Sequence, residues 1–584
     1  MRAGRTTTAA ALRNALDAGL ALPWERAWRP VQRTAGWVMA LPVWLVLAVF
    51  LIGQWVVVGI IAAVAQHNGD YYYTGGDATW YYTSAWLLGH GHIPHAAISE
   101  GYVFLLAPFA HFTGPSMIAG LPYVFGVNML VLWPIALLAV YGIAKAIGGR
   151  GFAYVSMLIW VCFPLLTIPY FYERFHVRLI DQNLPSELGL IATGDFPSLV
   201  ALLVAAYFTL RTLTERSPQA ALLAGAATGF AATVKPANLI FLPAAIAAFV
   251  VARRPRELLL AGAAFLPALG GLALWKYRGL GYVPAFHSSA ALGAGTSTPP
   301  PVASLTIHDY ISLDWNHLWV NYLYVREYTW SVRMVTWVLV AGLVALLRRS
   351  VVTAVLLAGW LACFIVFKGT NGAVNVSDGS FFRYMEPAFP PFFFGLVAIA
   401  LLVPRVGGRL TARARAEAFQ PIGRRGWTAL LAAAAAALFV PIVALAAFHP
   451  LTKPQAAGLA LIDQYAPANT FSVTAVEKDG AVHLAWPDQS HGNTLASYEV
   501  YREPRDEFTC SPVAHAGTPC SFDLIDPVTQ TYVLPVQVTF RKRAIDRPPP
   551  GRWIYRVTAT VSPTRQREGD VILLSRATTI TVRK

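Results

Sequence analysis

The sequence predicts a polytopic α-helical membrane protein of about eleven spans, N-terminus inside and C-terminus outside, followed by an extracytoplasmic β-sandwich. Three observations predict this. The chain of 584 residues is 56% hydrophobic and only 13% charged, with a mean hydropathy of +0.50, too apolar for a soluble globule and long enough for many spans. Apolar stretches of membrane-crossing length recur as far as residue 448 and are separated by loops that alternate in basic content. Beyond residue 466 the hydrophobic period shifts from helical to alternating.

A basic cytoplasmic segment, 1–35, precedes the first apolar run, 37–66. That run is about twice as long as the core of a signal peptide and lacks a clear small-residue cleavage site, so it reads as a retained anchor. Ten further helices are expected at about 121–146, 151–172, 196–210, 219–234, 237–252, 258–275, 334–347, 351–367, 385–403 and 427–448. One set of alternate loops holds 21 Lys and Arg residues, from Arg2 to Arg425, whereas the opposite set holds nine in much longer loops. Basic loops stay in the cytoplasm, which fixes the orientation and makes 67–120, 173–195, 276–333 and 368–384 the outer loops of a membrane domain spanning 36–450.

The net charge of +15 is therefore largely topological, with basic loops against anionic headgroups. The membrane core has no basic patch with interleaved aromatics, so no nucleic-acid partner is expected. In the segment 466–584, AVHLAW, SYEVYRE, WIYRVTATV and ATTITV alternate apolar and polar residues between DG, HGN and PPPG turns. Trp486, Tyr498, Tyr501 and Tyr555 at those spacings resemble the core of a fibronectin type III domain. Cys162 and Cys363 fall in spans as inert thiols, and Cys510 and Cys520 are expected to form a disulfide in the oxidising outer compartment.

Chemistry is expected in the outer loops, which are long, polar and aromatic. The first carries GGDATWYY with Asp77, then Glu100, and no Lys or Arg; its helical stretch TWYYTSAWLLG is expected to lie amphipathically along the membrane surface, with SEGYVFLLAPFAHF re-entrant behind it. The second carries Asp181, Glu187 and Asp195. Lys235 in TVKPAN ends a span, where an ammonium needs an anionic partner, and Arg383 and Tyr384 in DGSFFRYMEPAFPPFFF stand just above a late span. His90, His92 and His95 in GHGHIPH read as a short His-rich loop, with binding of a divalent metal alongside nearby carboxylates as the rarer alternative, and no cofactor is required.

The order GDATWYYTSAWLLGHG, GYVFLLAPFA, a small-residue span ending in KP, then RYMEPAFPP resembles the GT-C superfamily of integral membrane glycosyltransferases over about 36–405. Its relatives include protein O-mannosyltransferases, the aminoarabinose transferase of lipid A, and actinobacterial mannosyl- and arabinosyltransferases. The resemblance implies a polyprenyl-phosphate sugar donor and an acid in the first outer loop that activates the acceptor. Asp77 matches that acid by position. Ala78 follows it, so a paired-acid motif is absent, and a second carboxylate would come from Glu100, Asp181, Glu187 or Asp195.

The residues themselves suit that chemistry. Sugar transfer from a lipid phosphate to a hydroxyl needs a carboxylate base and cations on the leaving phosphate. Asp77 serves as the first, and Lys235, Arg383 and Tyr384 as the phosphate-binding set. A single displacement of this kind inverts the anomeric carbon. The expected acceptor is a cell-envelope glycan, lipid or protein at the outer face of a bacterial cytoplasmic membrane, the Arg- and Ala-rich composition being that of a high-GC bacterium. A transporter or flippase of lipid-linked sugars and a non-catalytic envelope scaffold are the competing classes; the first is disfavoured by the absence of internal repeats.

Overall fold

The computed structural model describes residues 40–64, 77–113 except 95 and 97, 117–176, 184–280, 283, 313–329, 332–377 except 373, 380–416, 419–450, 471–490, 494–504, 537–563 and 571–583 except 577. Each expected span is helical. The elements in chain order are α1 (Val43–Val64), α2 (Asp77–Gly89), β1 (His92–Ile93), α3 (Glu100–Thr113), α4 (Met117–Val127), α5 (Trp133–Gly148) and α6 (Arg150–Thr167). Then come α7 (Leu184–Glu187), α8 (Asp195–Glu215), α9 (Pro218–Val234), α10 (Leu242–Val251), α11 (Pro255–Leu280), α12 (Trp315–Tyr328), α13 (Val332–Arg349) and α14 (Val351–Gly369). The helical part ends with α15 (Ser380–Met385), α16 (Phe389–Ala398), α17 (Pro404–Ala416) and α18 (Arg424–Ala447).

Among the described residues, eight helices are long and apolar enough to cross a membrane, as a multi-pass membrane protein requires. Three expected spans are helical but fall outside those limits: α9 is 17 residues, Pro236–Val251 is shorter still, and α13 carries three arginines. The helices pack through small residues. A Cβ on Gly225 of α9 would sit 1.9 Å from the Ala261 carbonyl oxygen of α11, and one on Gly229 would sit 2.6 Å from the Ala268 Cβ. In lipid, where apolar side chains gain nothing by leaving the solvent, such close backbone approach is what holds helices together.

The expectation of a surface-lying α2 needs correction. Tyr81, Tyr82, Ala85, Trp86, Leu87 and Leu88 are all buried, so the helix is covered on every face. It forms a hairpin with α3 and shares a core with Trp275 of α11 and Leu445 of α18. Its aromatics are therefore packing groups inside the bundle rather than an interfacial belt.

The last span is tied back to the segment between α2 and α3. β2 (His449–Pro450) pairs in parallel with β1, and the Arg278 guanidinium donates to the Phe448 carbonyl at 2.7 Å. Beyond it, β3 (Thr474–Lys478), β4 (Ala481–Ala485) and β7 (Arg543–Asp546) form one antiparallel sheet. The other runs β10 (Thr578–Val582), β8 (Gly551–Pro563), β5 (Thr494–Pro504) and β6 (Gln537–Thr539), with β9 (Val571–Leu574) also on β8.

Both sheets contribute to one core in which Trp486 stands 5.4 Å from Tyr498, with Val482, Leu484, Val500, Tyr555 and Val557 around them. Tyr501 does not join this core. It is an odd number of residues from Tyr498, so it falls on the opposite face of β5, its hydroxyl donating to Glu499. Cys510 and Cys520 lie outside the described residues, while Cys162 and Cys363 are free thiols in α6 and α14.

Candidate active site

The site begins at a break in a helix. Pro236 disfavours helical geometry in the residue before it, and Lys235 is accordingly extended, with φ −151° and ψ 112°. The chain resumes as a 3-10 turn, Pro236–Phe241, pinned where Asn238 donates to the Ser198 hydroxyl of α8 at 2.6 Å and to the Ala231 carbonyl at 2.7 Å. This bend presents Lys235 to the first residue of α8.

That residue is Asp195, whose side chain is 1% exposed. One carboxylate oxygen accepts from the Lys235 ammonium, and the other accepts from the Arg383 Nε of α15 at 2.8 Å. The N-terminus of α8 adds its own positive end to both cations. Tyr384 lies beside them, its ring centroid 4.8 Å from the Lys235 Nζ, 5.4 Å from the Lys368 Nζ at the end of α14, and 6.0 Å from the Arg383 guanidinium carbon. Three cations from three helices thus surround one aromatic ring, with a single carboxylate held between two of them.

Two further acids adjoin this cluster. Glu386 accepts from the Ser186 hydroxyl at 2.8 Å and is 1% exposed. Burial and the nearby Glu386 carboxyl push the Glu187 carboxyl well above the usual carboxylate range, so it favours its neutral form. The loop that carries Ser186 and Glu187 is anchored in turn: Asn128 donates to the Gly189 carbonyl at 2.8 Å, and the Trp133 indole donates to the Leu188 carbonyl at 3.0 Å.

Asp77 is the first residue of α2, and its side chain lies outside the described residues. One turn further on, the Tyr81 hydroxyl donates to the Val234 carbonyl at 3.5 Å, immediately before Lys235. Gly194 leaves room for this contact, since a Cβ there would fall 2.6 Å from the Tyr81 hydroxyl. Tyr81, one turn into α2, thus meets the chain immediately before the cationic Lys235. Below it, a cavity of about 580 Å³ runs from Pro197, two residues beyond Asp195, to Tyr207 and Phe419. Ten residues of α8 separate the two ends, roughly 15 Å along the helix axis.

Of the residues picked from the sequence, Lys235, Arg383, Tyr384 and Asp195 come together, with Glu187 beside them. Glu100 does not join them: its carboxyl faces Gly271 of α11. Asp181 and His95 lie outside the described residues, and the His90 ring is engaged with the Trp86 carbonyl at 2.8 Å. Among the described residues no three His, Cys, Asp or Glu side chains converge as a metal site. Sequence reasoning missed Lys368 and Glu386, although each carried a signal. Lys368 ends an apolar span in FIVFKG much as Lys235 ends its own, and Glu386 sits inside the quoted RYMEP.

Residues 183–275, from the Ser186 loop through α11, match the family model described as dolichyl-phosphate-mannose-protein mannosyltransferase. No curated protein matches the chain in sequence. Among solved structures, the chain overlaps the Archaeoglobus fulgidus oligosaccharyltransferase in its apo form, at 13% identity and a TM-score of 0.35 over 70% of this chain and 56% of that one. It also overlaps the archaeal oligosaccharyltransferase AglB from the same organism, in complex with an inhibitory peptide and a dolichol-phosphate, at 14% identity and a TM-score of 0.34 over the same shares. The chain thus spans just over half the length of these structures, too loosely to assign any residue of the site.

Proposed function

We propose that this chain, a multi-pass membrane glycosyltransferase of the GT-C superfamily, moves a sugar from a polyprenyl-phosphate donor to a cell-envelope glycan, lipid or protein acceptor at the outer face of a bacterial cytoplasmic membrane. The observation that carries this reading is the gathering of Lys235, Lys368, Arg383 and Tyr384 at one end of the bundle, above an apolar cavity and next to the Val234 carbonyl that Tyr81 of α2 meets. The cations take the donor phosphate, Arg383 through paired hydrogen bonds and the lysines as point charges. The apolar cavity below takes the first part of the prenyl chain.

Asp77 takes the proton of the acceptor hydroxyl as that oxygen bonds to the anomeric carbon. The bond from that carbon to the phosphate oxygen breaks, polyprenyl phosphate leaves with the electron pair, and the anomeric configuration inverts. Asp195 is not the base, because both of its oxygens are already engaged by cations. It orients Lys235 and Arg383 instead.

The test compares wild type with Asp77→Asn and Arg383→Ala in detergent, measuring donor binding and transfer separately over a panel of polyprenyl-phosphate sugars. Asp77→Asn is expected to bind donor normally and to transfer about 10² to 10⁴ more slowly. Arg383→Ala is expected to lose donor binding. Undiminished transfer by Asp77→Asn would remove the base, and a wild type that binds no lipid-linked sugar would remove the reading as a whole.

A further inference from the structure

A second cavity, of about 290 Å³, lies between α3, α9, α11 and α18, and the proposed transfer chemistry makes no use of it. Its wall is apolar, formed by Phe104, Leu105, Phe230 and Val440 among others, and it has room for about ten water-sized groups at roughly 30 Å³ each. Val440 is also exposed on the outside of α18, so the cavity reaches the lipid-facing surface of the bundle.

One acid stands in this wall. Glu100 is 1% exposed, and neither of its carboxyl oxygens has a hydrogen-bond partner. Buried polar groups are nearly always satisfied, and one left bare is costly unless a ligand completes it. Gly271 keeps the space in front of it clear: even a Cβ there would approach Oε1 no closer than 3.9 Å. Lys276, the nearby cation, gives its ammonium to the Ala96 and Ile98 carbonyls at 2.7 and 3.0 Å.

The bordering helices add acceptors of their own. Pro108 in α3 and Pro441 in α18 have no N–H to give, so the carbonyls four residues earlier, those of Phe104 and Ala437, lack their helical donors. Both residues line the cavity. The depth is also defined, since Gly101 packs against Thr233 and Val234, level with the Asp195 cluster.

An occupant must therefore be apolar over most of its length and carry, near the outer interface, one uncharged group that both donates and accepts. Burial pushes the Glu100 carboxyl up to about 8, so at neutral pH it keeps its proton and can itself do both. An ester carbonyl only accepts, and an ammonium would face Lys276; a hydroxyl satisfies every group present. We propose that this cavity is a binding site for a long-chain alcohol, its hydroxyl exchanging hydrogen bonds with Glu100 and its chain running along α18. This site is separate from the donor site and stands or falls without it.

The experiment uses the full-length protein in detergent with hexadecanol bearing a terminal photoreactive diazirine, the matching methyl ether as control, and peptide mapping of the crosslinks. The alcohol is expected to label α3 and α18 with an affinity about ten-fold or more above the ether. Glu100→Leu should bring the two probes level, Glu100→Gln should keep the difference, and Arg383→Ala should alter neither. If Glu100→Leu does not fold, Gly271→Leu, whose Cβ makes only ordinary contacts, should abolish labelling by filling the space. Equal labelling by alcohol and ether in the wild type, or labelling that survives Gly271→Leu, would overturn the proposal.

Discussion

At the scale of single residues, Asp195 and Glu100 are two buried carboxyls with opposite circumstances. Asp195 is saturated by two cations, and Asp195→Asn would leave Lys235 and Arg383 facing each other without a counter-charge. Removing one partner of a buried pair costs about 3 to 5 kcal/mol, and the low end applies because both cations keep some access to solvent. A lowered melting temperature together with weakened donor binding, read on the same preparation, is the expected result. Glu100 is unsatisfied, and in α3, at 14 residues too short to cross the membrane, burial raises its carboxyl from 4.5 to about 8. The fold thus binds this proton more tightly than the unfolded chain does. The stability it contributes is complete below pH 4.5 and is lost at about 1.4 kcal/mol per pH unit as the pH rises to 8. Melting curves of Glu100→Gln should be flatter than wild type across that window; parallel curves would mean that the carboxyl is not buried in the free protein.

At the scale of elements, the helix break at Lys235 and the close packing of α9 on α11 make separate predictions. Pro236→Ala removes the restriction on Lys235 and lets α9 continue, turning the ammonium away from Asp195. Donor affinity should fall at least ten-fold, and the melting temperature should fall with it, because buried Asp195 loses one of its two cations. Gly225→Leu should lower thermal stability in detergent without touching the cations, since a side chain at 1.9 Å from the Ala261 backbone forces the helices apart. The contrast also shows what is legible in the sequence. The spans, the KP break, Arg383 and Tyr384 could be read, because hydropathy and proline act locally. The burial of α2 could not, since its aromatics look the same whether they face lipid headgroups or the hairpin partner α3 and Trp275. The convergence of Asp195, Lys368 and Glu386 joins helices nearly two hundred positions apart, and hydrophobic period carries no record of such distances. The strands β4, β5, β8 and β10 were visible by alternation, but the short β6, at three residues, left too little pattern to register.

For the whole molecule, the helical bundle and the strand domain divide the proposed labour: the bundle holds the lipid donor, and the domain within 466–584 positions the acceptor. Deleting 466–584 should accordingly reduce acceptor use more than donor binding, and equal loss of both in a folded protein would count against that division. The pairing of His449 and Pro450 with His92 and Ile93 determines how such a dissection must be made. A truncation placed after residue 450 leaves the seam between the last helix and the segment joining α2 to α3 intact, so whatever activity is lost belongs to the domain removed. A truncation two residues earlier unpicks that seam as well. It loosens the segment joining α2 to α3, which Lys276 still holds through the Ala96 and Ile98 carbonyls, so two truncated chains differing by a dipeptide should differ in the activity they keep.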